Sequence, residues 1–386
     1  MVPSALSLAT THTALGRDVA EIFFRNQHIR EYHESNRASA SAIVRSVAWN
    51  ALGTLIAASG STLSGGLNII RIWNPEKHDV KYSTELRGHS HAVESIAWDP
   101  SLADRLVSCS PADGSVRLWD VRSKQTLQIL NLTANGTMST SNGTTSTVNG
   151  ATTAGRPSPS ICPALIRYTP DGKWIIICGY RSRSLMIVSS ESFTPSANSD
   201  SGVFEVNDDI SNDVTCAVVS FSGTVLAVAF SSGIVKFYEF DTESGHVEPK
   251  AVWTMNAHRT GITCMEFDPR GTYLALGSND SLVSIWNMQE LACVRTFAKA
   301  AFPVKSLSFS FDGAYLAVSL EATEPVSIIH VESGDVVFTI ARTSSFNVPS
   351  VDWHPLKYWL AYGGDPAGLK ILGNPERSSG LGRGGR

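Results

Sequence analysis

Residues 261–287 read GITCMEFDPRGTYLALGSNDSLVSIWN, and the spacing of their apolar runs decides the fold. Three runs of six residues, Ile262–Phe267, Tyr273–Ser278 and 282–287, are separated by short steps built on Asp-Pro-Arg-Gly and Asn-Asp. Six residues is the ordinary strand length. The steps are turn chemistry: Pro presets φ, Gly tolerates φ > 0, and Asn and Asp bond their own backbone. A fourth run, Ala292–Phe297, follows the polar step at 288–290. The stretch therefore predicts a four-stranded antiparallel meander. Tyr273, Leu274, Ala275 and Leu276 are consecutive and apolar, so both faces of this sheet are expected to be covered by similar sheets.

The chain repeats the pattern. Phe267 ends a first strand four residues before Gly271; its counterparts are Trp49, Trp98, Tyr168, Val219, Phe309 and Trp353. The matching ends of third strands are Trp73, Trp119, Val188, Tyr238, Trp286, Ile329 and Leu372, always 19 to 24 residues later. Between repeats the step is 42 to 51 residues, except for 70 between Trp98 and Tyr168. Residues 131–155 account for the excess, with 19 of 25 positions Ser, Thr, Asn or Gly. Such a segment cannot bury enough apolar area to offset its ordering entropy, so 131–160 reads as a disordered insertion between repeats two and three.

Bulk properties narrow the function classes. The 386 residues suit one large repeat array, and 42% hydrophobic with 17% charged residues fits a folded chain. The formal charge of −4 provides no global basic field for gripping nucleic acid over a wide surface. Six scattered cysteines, with no C-x-x-C, read as reduced, strand-packed thiols of an intracellular protein. The N-terminus lacks a basic n-region followed by an apolar core, so no signal peptide is expected, and no apolar run approaches membrane-helix length.

RGH at 87–89, VESIAWDP at 93–100 and VRLWD at 116–120 resemble a WD40 repeat. The resemblance implies that a turn histidine and an aspartate six residues before the tryptophan hydrogen-bond along the blade. Repeat two supplies His89, Asp113 and Trp119, and repeat five supplies His258, Asp280 and Trp286. The other five repeats have Leu67, Ser182, Ser232, Thr323 and Pro366 in place of that aspartate. Seven repeats of four strands imply an all-β fold, a seven-bladed WD40 β-propeller, which manages its sheet edges by radial closure. The last blade ends at its third strand, LKILG, and EIFFRNQHIREYH at 21–33 is the candidate for the missing one. Phe23, Phe24, Ile29 and Tyr32 are expected to latch the ring there. The expected organisation is a flexible N-terminus at 1–20, a propeller at 21–375 and a flexible Gly/Arg tail at 376–386.

The stretches NAHRTGITCMEFDPRGTYLALGSNDSLVSIWNMQELACVRTF, FPVKSLSFSFDGAYLAVS, VDWHP and LKILG, with FFRNQHIREY and KFYEF upstream, are similar to the THO complex subunit 3 family. The resemblance implies a nuclear, non-catalytic scaffold in a THO/TREX-type complex that couples transcription to messenger RNA packaging and export. Its implied partners are large helical THO subunits and other TREX components. RNA is then reached mainly through the complex, and no small-molecule substrate is implied. The alternative is a chromatin or histone-peptide reader, or a ubiquitin-ligase adaptor, taking peptides at the propeller mouth. A reader requires an acidic, aromatic-lined mouth; a scaffold binds through an extended patch.

Other chemical signals are weak. GLGRGG at 380–385 lacks the preceding strand and following helix of a dinucleotide loop. Arg377, Arg383 and Arg386 in that tail are candidate RNA phosphate contacts, set against a plain solubilising role. The pairs His28 with His33 and His89 with His91 have no nearby cysteine to complete a metal site. No nucleophile elbow, Walker loop or paired-carboxylate pattern occurs, so neither catalysis nor a cofactor is expected.

Overall fold

Strand periodicity and turn chemistry act together in every repeat. The computed structural model describes residues 15–32, 42–62, 68–76, 83–132, 138–140, 161–196, 203–206, 212–298, 302–321, 326–340, 350–365 and 368–373. These residues form seven antiparallel sheets arranged as the blades of a β-propeller. Blade five, read above from sequence, consists of Ile262–Phe267, Tyr273–Ser278, Val283–Asn287 and Ala292–Phe297. In five blades a glycine with φ between 67° and 78° makes the first turn: Gly53, Gly172, Gly223, Gly271 and Gly313. A β-carbon is disfavoured in that conformation, which is why glycine recurs there.

The first strand of each blade is innermost and abuts the first strands of its two neighbours. Apolar clusters fill all seven gaps between neighbouring blades, each drawing residues from both sides. This is why both faces of the sheets had to be apolar. In blade six the second strand, Tyr315–Leu320, is buried at every position. Blade two differs from expectation: within the insertion, Met138–Thr140 pairs with Leu130–Leu132 as a fifth strand. The expected N-terminal arm at residues 1–14, the rest of the insertion at 133–137 and 141–160, and the tail from 374 lie outside the described residues.

The ring closes on the N-terminal segment. Ile29–Tyr32 pairs antiparallel with Gly368–Leu372, Ile29 opposite Leu372 and Tyr32 opposite Leu369, as the outer strand of blade seven. Phe23 and Phe24 do not belong to that strand. They lie in a helix, Arg17–Arg25, which begins inside the stretch expected to be flexible. Adjacent side chains on a strand point to opposite faces, so on that strand the two phenylalanines would be split between two gaps. On a helix Ala20, Phe23 and Phe24 share one face at i, i+3 and i+4. That face packs between blades six and seven, where Phe24 touches Tyr315, Phe338, Trp353 and Tyr358. Tyr32 is buried against Trp73, whereas Ile29 stays 45% exposed and contributes through its backbone pairing.

Candidate functional site: the central channel and its two mouths

On the face where each blade's last strand leads into the next blade, two polar networks organise blades two and five. In blade two the Trp119 indole N–H donates to Ser108 Oγ at 2.8 Å. The other side of that hydroxyl meets His89 Nε2 at 2.8 Å, and His89 Nδ1 lies 2.8 Å from Asp113 Oδ2. Burial alone would raise the Asp113 carboxyl, but hydrogen bonds from His89 and Ser115, with the His89 charge, hold it down at about 2. Blade five reproduces the chain with Asp280, His258 and Trp286 at 2.8 to 3.1 Å, but through Ser284.

The two serines occupy different strands. Ser108 lies on the second strand of its blade, opposite Arg117; in blade five the equivalent pair is Leu276 opposite Ser284. The hydroxyl has moved to the facing strand without changing its job. Sequence reading named the histidines, aspartates and tryptophans and missed both serines. The connectivity is that of a Ser-His-Asp catalytic chain. Ser108 is nevertheless fully buried, with its oxygen taken by the indole N–H, so no substrate reaches it. No group of three or more His, Cys, Asp or Glu suited to a metal occurs among the described residues.

A second set of polar groups lines the channel. The innermost strand of each blade has no strand partner on its inner edge, so its N–H groups need other acceptors. Side chains of the preceding blade supply them. Ser350 accepts from Val47 N–H and Asp352 from Trp49 N–H across the closing gap, at 3.2 and 2.7 Å. Ser95 accepts from Ile166, Ser306 from Val351, Ser308 from Trp353 and Glu266 from Phe309. The sequence carried a signal for this: Ser95, Ser306 and Ser350 all stand three residues before the end of a first strand.

Three charges interrupt the channel lining, each at the penultimate position of a first strand: Arg167, Glu266 and Asp352. Burial pushes Glu266 up to about 8 and Asp352 up to about 7, with the Arg167 charge opposing both shifts. One guanidinium felt by carboxylates of blades five and seven reaches into the channel. Because the folded value of Glu266 lies above the ordinary carboxylate value, its contribution to stability is full below about pH 4 and declines as pH rises to about 8. Glu266→Gln keeps an acceptor for Phe309 N–H and removes that titration. The variant should gain on the order of 1–3 kcal/mol over wild type at pH 9, shrinking toward zero near pH 4. Urea midpoints at the two pH values decide it; an equal difference at both would contradict this account.

Around the opposite mouth, the turns joining first to second strands form a rim bonded at several blade junctions. Asn50 Nδ2 donates to Ala103 O at 3.3 Å, Ser101 Oγ to Asp171 O at 3.1 Å and Tyr358 OH to Asp312 Oδ2 at 2.6 Å, each between neighbouring blades. Inside this rim a cavity of about 220 Å³ opens between blades three, four and five, lined by Arg167, Val218, Phe221, Met265 and Glu266 among others. The tail arginines Arg377, Arg383 and Arg386 lie outside the described residues.

Known proteins match this chain along most of its length. Residues 80–120 and 249–287 match the WD40 family, described as WD domain, G-beta repeat, and these stretches end one residue past Trp119 and Trp286. The chain is 32% identical over 344 residues to THO complex subunit 3 of Arabidopsis thaliana, covering 89% of this chain and 91% of that one. It is 30% identical over 381 residues to WD repeat-containing protein AAC3 of Dictyostelium discoideum, covering 94% and 69%. The β-propeller domain of Myceliophteria thermophila Cps50 (Swd1) superposes with a TM-score of 0.64 at 16% identity, covering 90% of this chain and 99% of that one. That last likeness is one of fold alone.

Proposed function

We propose, from the premise that this chain belongs to the THO complex subunit 3 family of WD40-repeat proteins, that it is a non-catalytic scaffold subunit of a nuclear THO/TREX-type assembly coupling transcription to messenger RNA packaging and export. The observation that carries this reading is the extent of the match, 89% of one chain against 91% of the other, which spans the whole ring and not a single repeat. The geometry supports it in a second way. His89 with Asp113 and His258 with Asp280 are committed to intrablade networks, and the thiols of Cys109, Cys178 and Cys216 are buried, with burial pushing them up. What remains for function is surface.

In this reading the partners are large helical subunits of the complex, and RNA is met chiefly through them. With 31 Lys and Arg set against 35 Asp and Glu, the chain has no net positive charge to drive counterion release from RNA phosphates. Tagged protein purified from nuclear extract should retain helical THO subunits after RNase digestion. Isolated protein should bind single-stranded RNA only in the range of about 10⁻⁴–10⁻⁶ M. Sub-micromolar RNA binding by the isolated chain, or partners released by RNase, would replace the scaffold reading with direct RNA recognition.

A further inference from the structure

The cavity inside the turn rim has a composition that selects its occupant. Water's share of liquid volume is about 30 Å³, so 220 Å³ holds about seven waters or one amino-acid side chain. Val218, Phe221, Met265 and Pro269 form apolar walls, and Arg167 and Glu266 are the polar heads. Arg167 is exposed and, among the described residues, makes no hydrogen bond or ion pair.

The neighbouring acids do not supply the missing partner. Glu266 uses one oxygen to accept from Phe309 N–H, and Asp352 accepts from Trp49 N–H and Ser308 Oγ. Asp268 is buried and turned into its own loop, accepting from Arg270 N–H and Tyr273 N–H. The cavity therefore offers an open guanidinium fork between apolar walls. That combination fits a singly charged planar anion, which Arg pairs bidentately. A doubly charged phosphate would bring more negative charge against Asp268. Outside the cavity the rim stays apolar: Leu52, Leu102, Phe221 and Leu356 are each about half exposed (46–56%) on this one face.

We propose that this mouth receives the carboxylate side chain of a glutamate or aspartate from an extended segment of a partner protein, with Arg167 pairing the carboxylate and Phe221 covering an apolar residue beside it. That the occupant is a partner protein rests on the scaffold reading above; the chemistry of the pocket does not. A capped peptide, acetyl-Ala-Leu-Glu-Leu-Ala-amide, is titrated into the full chain labelled at methionine and valine methyls, beside its Gln counterpart. The Glu peptide should shift the Met265 and Val218 methyl signals and saturate. The Gln peptide, and the Glu peptide against Arg167→Gln, should bind at least tenfold more weakly, as expected for losing a hydrogen bond to a charged group. Equal binding of the two peptides, or no shift at Met265, overturns the assignment.

A second measurement separates this idea from the scaffold reading. Wild type, Arg167→Glu and Arg259→Glu, the last exposed on the opposite face, are purified from nuclear extract after their melting curves are matched. Helical THO subunits should be retained by wild type and Arg259→Glu and lost from Arg167→Glu. Retention by all three overturns the mouth assignment and leaves the scaffold reading standing. Retention by none, wild type included, removes the scaffold reading, and the peptide titration alone then decides the pocket.

Discussion

Truncating Trp119 to alanine should destabilise the ring by about 3–5 kcal/mol, the range for removing a large aromatic from a packed core. The indole is 1% exposed and fills the gap between blades one and two together with Trp98 and Ile72. Its loss also strips Ser108 Oγ of its indole donor. Trp286→Ala should fall well below that range. Trp286 holds the equivalent place in blade five and donates to Ser284, yet its ring is only partly buried, so less apolar surface and a smaller cavity are at stake. Urea unfolding of the two variants side by side tests the ordering. Equal losses would mean that the hydrogen-bonded chain, and not burial, sets the contribution of these tryptophans.

Opening the ring should be more damaging still. A variant lacking residues 1–32 leaves blade seven with three strands and Gly368–Leu372 as an uncovered edge. It also empties the site of Phe24 between Tyr315, Phe338 and Trp353. An exposed, flat edge strand is a template for pairing with another chain. The truncated protein should therefore associate or lose its cooperative transition, which sedimentation and thermal melting will register. Phe24→Ala alone should remove about 3–5 kcal/mol, whereas Ile29→Ala should stay within about 1 kcal/mol because that side chain is 45% exposed. A soluble, monomeric truncation with an unchanged melting point would show that the helix and strand are dispensable for closure.

The contrast between Phe24 and Ile29 marks where sequence reading ended. The blades were legible because each strand obeys a local rule: six apolar-rich residues, then Gly, Pro, Asn or Asp where the chain must reverse. Seven recurrences of one interval then fixed the number of blades, and the want of a fourth strand after Leu372 pointed upstream to residues 21–33 for closure. Those inferences need only neighbours along the chain. The two triads were legible for a different reason: the resemblance supplied them, residue by residue.

What tertiary structure alone decided involves groups far apart in sequence. Phe23 and Phe24 lie on a helix whose apolar face packs between blades six and seven, a contact that exists only in the assembled ring. Ser284 replaces Ser108's counterpart because two facing strands offer a hydroxyl almost the same position in space, which no single-strand pattern reveals. Arg167, Glu266 and Asp352 are about a hundred residues apart or nearly so, and they share one channel only once seven inner strands are set around an axis. The raised carboxyls of Glu266 and Asp352, opposed by the Arg167 charge, come from that convergence. A linear sequence specifies strands and turns through short-range sterics, but the field at a mouth of the ring is a sum over blades and exists only after closure.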